Sequence, residues 1–350
     1  MSTDPPVMPS LTSGLDETWL TLTQEDILEP ALPICDPHHH LWERPDYRYL
    51  LPEFLADVGS GHHIESTVFL ECGAFYRPDG PVEMRSVGEA EFVSSVAAES
   101  ASGAPGTTRV AAAFAGFADL TLGAGAEAVL SALMHAGRGR FRGVRHSAAR
   151  DDGFVIASSH RPPNGLYLDP TFRQGFACLG RLGLTFDAWV YHPQIPDVMD
   201  LARTFPEQPI VLNHVGGPIG IGPYAGRRDE EFAKWERAIR DLATCENVVV
   251  KLGALGSKRA GFEWHERPRP PSSEDLATAW RPYIETCIDA FGAARCMFES
   301  NFPVDKVSCS YAVLWNAFKR LTTGCSESEK AALFRDTAHR FYQIDIPEQP

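Results

Sequence analysis

Ile34-Cys35-Asp36-Pro37-His38-His39-His40-Leu41-Trp42 is the stretch around which the rest of the chain is arranged. A short apolar entry leads into an aspartate and then into histidines at alternate positions. Successive side chains of an extended strand point to opposite faces, so His38 and His40 converge while His39 turns away. Two neutral imidazoles side by side at a strand end suit a first-row metal such as zinc. Three ordinary histidines near a loop, one bonded to Asp36, would leave the same letters. The other histidines decide between these readings.

Working outward, apolar runs of strand length recur at 66–72, 109–119, 141–146, 184–190, 209–214, 247–252 and 296–299. Helical spacing fills the intervals at 84–100, 125–135, 171–182, 196–205, 231–242 and 273–291, and again at 311–322 and 326–341. Strands alternating with helices make a parallel sheet. Strand runs apolar throughout are expected where helices cover the sheet and both faces are buried. Eight such units in a chain of 350 residues point to the α/β class and a closed (β/α)₈ TIM barrel. No Gly-rich GxGxxG follows the first strand, which weighs against a dinucleotide fold. The reading is a single barrel domain over 31–345, preceded by an N-terminal arm over 1–30, with 44–58 aromatic and loop-like.

Composition narrows the partners. Hydrophobic residues are 44% and charged residues 22%, with a formal net charge of -14. That balance allows a large core and argues against nucleic acid or an anionic membrane as partner. No apolar run reaches the roughly 18 residues of a membrane span. The first residues lack the basic and apolar regions of a secretory signal. The eight cysteines form no CxxC pair, so a reduced, cytoplasmic protein is expected. Barrels often pair, and a homo-oligomer is as compatible with the sequence as a monomer.

In a barrel of this type the active site lies at the C-terminal ends of the strands. The sequence places His38 and His40 at the first such end, Glu71 at the second, and Arg145 with His146 at the fourth. His192 follows the fifth, His214 the sixth and Lys251 the seventh, and Glu299-Ser300-Asn301 close the eighth. Each has a bland reading: Glu71 or Lys251 as half of a structural ion pair, His192 as a loop residue before Pro193. Histidine at four of the eight ends is harder to assign to chance. His62, His63, His135, His160, His265 and His339 are read as surface or packing residues.

Four motifs in order carry a resemblance: 36–42 as DxHxHxW, 141–146 as FRGVRH, 212–218 as LNHVGGP and 297–303 as MFESNFP. Over residues 30 to 345 the chain resembles the amidohydrolase superfamily, in the amidohydrolase-related branch that holds sugar-lactone and 2-pyrone-4,6-dicarboxylate lactonases. The resemblance implies that His38 and His40 are first-strand metal ligands, or substrate contacts in metal-free members. It makes His214 the sixth-strand histidine that meets metal, water or substrate. It gives Arg145, with His146, the task of holding a carboxylate or lactone oxygen. A planar guanidinium suits that task, since it binds a carboxylate through two hydrogen bonds.

Two positions depart from the pattern. The family's metal enzymes carry an aspartate at the end of the eighth strand, where this chain has Asn301; a neutral amide cannot act as a general base near pH 7. Either His214, Glu71, Glu299 or Asp305 then takes the proton, or the chemistry differs from ordinary hydrolysis. On the fifth strand, His192-Pro193-Gln194 matches the usual ligand position poorly, leaving His192 as a candidate ligand and Gln194 as the alternative residue facing the site.

The expectation is a hydrolase of a small carboxylated lactone or related cyclic ester, acting on a small anionic substrate. Its metal sites would be His38, His40 and His192, with zinc as the divalent ion. Its catalytic residues would be His214, Asn301 and Glu71, and its substrate contacts Arg145, His146 and Lys251. Arg227 and Arg228 are read as a solvated loop. The alternatives are a metal-independent lactonase, a decarboxylase of an unsaturated carboxylic acid, and a non-catalytic barrel that binds a small acid.

Overall fold

The computed structural model describes residues 6–45, 47–103, 106–156 and 161–345; His160 lies outside them. Eight parallel strands neighbour one another in chain order: β1 (Pro33–His39), β2 (His63–Leu70), β3 (Arg109–Gly116), β4 (Phe141–Ser147), β5 (Thr185–Trp189), β6 (Ile210–Leu212), β7 (Val248–Leu252) and β8 (Cys296–Phe298). The sheet closes where the end of β8 meets β1. His39 bridges Phe302, the Asn301 amide donates to the His38 carbonyl at 2.9 Å, and the His40 amide donates to the Phe302 carbonyl at 2.8 Å. Asp36 locks the seam, accepting from the Ser300 amide at 2.9 Å and the Tyr311 hydroxyl at 3.0 Å. The fold is a (β/α)₈ barrel.

Helices α1 (Leu51–Val58), α2 (Val87–Ala101), α3 (Ala126–Gly137), α4 (Pro170–Leu182), α5 (Ile195–Thr204), α6 (Arg228–Leu242), α7 (Ser273–Phe291) and α8 (Tyr311–Leu321) surround it. Local chemistry sets their ends. At α4, the Asp169 carboxylate accepts from the amides of Thr171 and Phe172, Pro170 occupies the first turn, and Gly183 ends the helix with φ 67°, as expected of caps. Alternation within the strands sorts two apolar layers. Val68, Leu70, Ala113, Ala115, Val211 and Met297 point inward and are plugged from below by Ala338, Phe341, Tyr342 and Ile344. The other buried apolar residues of the strands pack outward against the helices.

Three sequence expectations change. The 44–58 stretch is not a loop: Trp42–Arg44 pairs antiparallel with Tyr47–Tyr49, and α1 follows. Its turn and first helical residues fall among aromatics, which hid both periods. The stretch at 326–341 is not one uniform helix, because Ala332–Asp336 widens to π geometry between two helical turns. Arg228 is not in a loop but opens α6, with its guanidinium 3.9 Å from the centre of the Phe262 ring; Arg227, just before it, pairs with Glu230.

The arm lies against the barrel. Val7–Met8 pairs parallel with Val155–Ile156, in the loop after β4. Further along, the Trp19 indole donates to the Arg267 carbonyl at 3.0 Å and the Thr23 hydroxyl to the Pro270 carbonyl at 2.8 Å. Among the described residues, no helix is long and apolar enough to cross a membrane.

Candidate active site

Strand phase brings His38 and His40 to the barrel interior, with their Nε2 atoms 3.3 Å apart. His39 turns outward as alternation requires, stacking on Phe54 at 4.1 Å and bonding the Thr67 hydroxyl at 2.9 Å. Across the mouth, Glu299 reaches both remaining partners. Its Oε1 lies 2.7 Å from His214 Nδ1 and 3.0 Å from the His214 amide. Its Oε2 lies 2.7 Å from His38 Nδ1, yet without hydrogen-bond alignment, so that this buried oxygen has no donor.

The backbone here is held in an unusual conformation. His214, Val215, Ala254 and Asn301 have φ of 61°, 46°, 59° and 54°, the left-handed region that costs non-glycine residues energy and clusters at functional sites. Gly253 is obligatory for a further reason, since a Cβ there would strike the backbone and side chain of Glu299.

Burial holds the His38, His40 and His214 imidazoles well below their usual range. After burial, Lys251 acts on His38, Arg145 on His40 and Arg259 on His214 in the same direction. The rings are therefore neutral at pH 7, the form that ligates metal or accepts a proton. Burial also pushes the Glu299 carboxyl up to about 8, against the opposing pull of Lys251.

One donor atom each from His38, His214 and Glu299 lies within 4.8 Å of the other two. Two imidazoles and a carboxylate form a donor set that fits a catalytic divalent ion. The donorless Glu299 oxygen, facing a ring nitrogen at 2.7 Å, is the contact a cation would satisfy.

Above these residues opens a cavity of about 200 Å³. His40, Glu71, Arg145, His214 and Asn301 line it. Arg145 is fixed by Glu71: Nε donates to Glu71 Oε1 at 2.7 Å, and Nη2 donates to the Glu71 carbonyl. Its Nη1 stands 3.3 Å from His38 Nε2. The Asn301 side-chain Nδ2 donates to Asp305 Oδ1 at 2.8 Å, and the Gly256 backbone amide donates to the other Asp305 oxygen at 2.9 Å. Burial pushes the Asp305 carboxyl up to about 7. With both oxygens engaged below the cavity wall, Asp305 orients Asn301.

Four sequence-predicted residues fall elsewhere. His146 follows Arg145 on β4, so it faces outward, against Phe117 and Phe172. His192 lies beyond the end of β5, where its Nε2 meets Glu231 of α6 at 3.0 Å, and it lines a separate small pocket. Gln194 braces the loops, donating to the Ala148 carbonyl and accepting from the Arg150 amide. Lys251 faces inward but beneath the mouth, where its ammonium donates to Asp187 at 2.8 Å and stands 3.4 Å from His38 Nδ1. The Tyr342 hydroxyl donates to the same Asp187 oxygen at 2.7 Å.

Sequence reading missed two residues. Arg259 is 1% exposed and lines the cavity with its guanidinium 4.7 Å from the Trp189 ring centre. It donates to the carbonyls of Pro218 and Ala254 at 3.4 and 3.3 Å, and no carboxylate stands within ion-pair distance among the described residues. Glu89 of α2 accepts from the amides of Cys72 and Ala74 at 3.0 and 2.9 Å, which fixes the loop carrying Glu71. Neither sits at a strand end, the one place the sequence marks.

Comparison with known proteins agrees with this fold. A family model described as Amidohydrolase matches residues 35–344. The protein y4mH of Sinorhizobium fredii is 34% identical over 336 residues, covering 89% of this chain and 99% of its own. An L-fucono-1,5-lactonase of Burkholderia multivorans is 30% identical over 213 residues, 59% of this chain and 64% of that one. The crystal structure of a Burkholderia multivorans amidohydrolase with bound zinc matches with a TM-score of 0.68 at 24% identity, covering 89% of this chain and 99% of that one. With the family model spanning the barrel from β1 to the plug beneath it, the chain belongs to the amidohydrolase family of enzymes.

Proposed function

We propose that the chain hydrolyses a small carboxylated lactone or related cyclic ester. The observation that carries this is the convergence of neutral His38 and His214 on Glu299 beneath a cavity walled by Arg145 and Arg259. The lactonase name of one relative supports the ester class.

Arg259 grips the substrate carboxylate; a buried guanidinium without an anion gains most from one. Arg145, held rigid by Glu71, donates to the ring carbonyl oxygen as it gains negative charge. His38, His214 and Glu299 would hold a divalent ion, zinc by the chemistry of the donor set. When bound, that ion supplies Lewis-acid polarisation of the carbonyl. Water adds to the carbonyl carbon, the ring C–O bond breaks, and a hydroxy acid leaves. Glu71, the carboxylate lining the cavity, takes the proton that Asn301 cannot, and returns it to the departing ring oxygen.

The His214–Glu299 pair favours a second reading, in which no metal takes part. Once ionised, above about pH 8, the Glu299 carboxylate on His214 Nδ1 fixes the tautomer that leaves Nε2 as the base.

The deciding experiment measures metal content by elemental mass spectrometry on protein purified without a histidine tag, beside His38→Ala/His214→Ala, with lactone opening followed in a pH-stat. About one zinc or manganese per chain, lost together with turnover in the variant, is expected. Folded, active, metal-free protein would leave the His214–Glu299 base as the mechanism. Carbon dioxide release from unsaturated acids, with every carboxylated lactone left intact, would overturn the proposal.

A further inference from the structure

We infer that residues 6–14 form a wall of the substrate pocket and set the size of ring substituent it admits. The inference rests on the barrel mouth being the catalytic pocket. Ser10, Leu11 and Thr12 line the same cavity as His40, Glu71 and Arg259. The chain has travelled far to put them there, since β1 begins only at Pro33.

Tethers on two sides hold the segment across the opening. On one side, Val7–Met8 pairs with Val155–Ile156, and the Val155 amide donates to the Pro6 carbonyl at 2.9 Å. Met8 and Leu11 pack there against Phe154, Ile156 and Tyr191. On the other side, the Lys258 ammonium, in the loop after β7, donates to the Ser13 carbonyl and hydroxyl. The segment therefore bridges loops that follow β4 and β7, and its inner surface is one leucine between two short hydroxyl side chains.

The rest of the lining carries the arginines and the histidines. A ligand of this pocket has an anionic end for the cations and an apolar ring edge for Leu11. A substituent on that edge meets Leu11 first. Removing a few methylene groups from such a wall is worth about tenfold or more in discrimination.

The test compares the wild type with Leu11→Ala, Leu11→Trp and a variant lacking residues 2–14, on carboxylated lactones graded by substituent size. Leu11→Ala is expected to raise KM for the most compact lactone about tenfold, with kcat changed far less, and to favour bulkier rings. Leu11→Trp is expected to sharpen the preference for compact rings. Selectivity identical to wild type in both would overturn the inference.

A second readout does not depend on turnover. Cys72 lines the cavity, so its maleimide labelling, mapped by mass spectrometry, is expected to accelerate in the shortened variant as reagent access opens. Cys325, remote from the cavity, serves as control. Unchanged Cys72 labelling in folded, shortened protein overturns the wall. Accelerated labelling with no lactone opened by any form upholds the wall and removes the functional reading instead. If the shortened chain fails to fold, the two Leu11 variants decide through the selectivity and Cys72 readouts.

Discussion

Lys251 and Arg259 both come from the stretch at and after β7, and both are buried to 1% exposure or less, yet their surroundings differ in kind. Lys251 faces Asp187 at 2.8 Å, and the Tyr342 hydroxyl completes the group. Arg259 faces carbonyl oxygens and the flat of Trp189. A neutralised cation under the barrel mouth joins strands β5 and β7 to the plug below. A cation buried without its anion is costly to the fold, and it lines the cavity where an anion can enter. On the proposed function, same-sign charges on one edge of the barrel thus divide into a structural and a recognition role by what already neutralises them.

The strongest way to break this comparison is Lys251→Ala. It leaves Asp187 buried beside a hydroxyl alone, and stability is expected to fall by about 3–5 kcal/mol in urea unfolding. A loss below about 1 kcal/mol, the range of a surface pair, would erase the structural role. Next comes Arg259→Gln. For a carboxylated lactone, kcat/KM is expected to fall about 100-fold, on the order of the 1.5–3 kcal/mol of a charged hydrogen bond. An uncharged lactone with the same ring should react nearly as before. The urea midpoint should hold or rise, because an uncompensated buried charge has been removed. Equal losses on charged and uncharged rings would place Arg259 with Lys251 after all.

The smallest effect tests the rule with the opposite sign. Glu89 is a buried carboxylate whose neighbour Glu71 has already claimed Arg145. Burial, and after it the charge of Glu71, pushes the Glu89 carboxyl up to about 8. The folded state thus keeps a proton that the unfolded chain releases at the ordinary carboxylate pKa near 4.3. Stability contributed by Glu89 is full at low pH and declines as pH rises towards 8. Urea midpoints at several pH values should show a steeper decline for the wild type than for Glu89→Gln. Parallel curves would mean the Glu89 carboxyl is already ionised.

The barrel was legible because its evidence is periodic: apolar runs, helical spacing between them, and histidines two apart on β1. Strand phase alone sent His38 inward and His39 out. The same logic, carried past a strand end, misplaces side chains. His192 comes three residues after Trp189, where the strand has ended and a turn aims it at Glu231. His146 was read by its nearness to Arg145, although neighbours on a strand face apart. Arg259 lies in an irregular loop that no period describes. Its significance comes from a missing partner, and a sequence does not record which charges go unpaired. Glu89 was concealed by α2, where it occupies an ordinary helical position and works through the loop before it.

The seam between β1 and β8 also has a temporal meaning. Ser300 and Asp36, which lock it, are 264 residues apart in the chain, and Tyr342 and Asp187 are 155 apart. Contacts this distant form late, because closing such loops costs entropy before any contact rewards it. During synthesis His38 and His40 leave the ribosome long before Glu299 exists to meet them. Over that interval they are open imidazoles, and any transition metal in the cell can bind them before the barrel has shaped a preference.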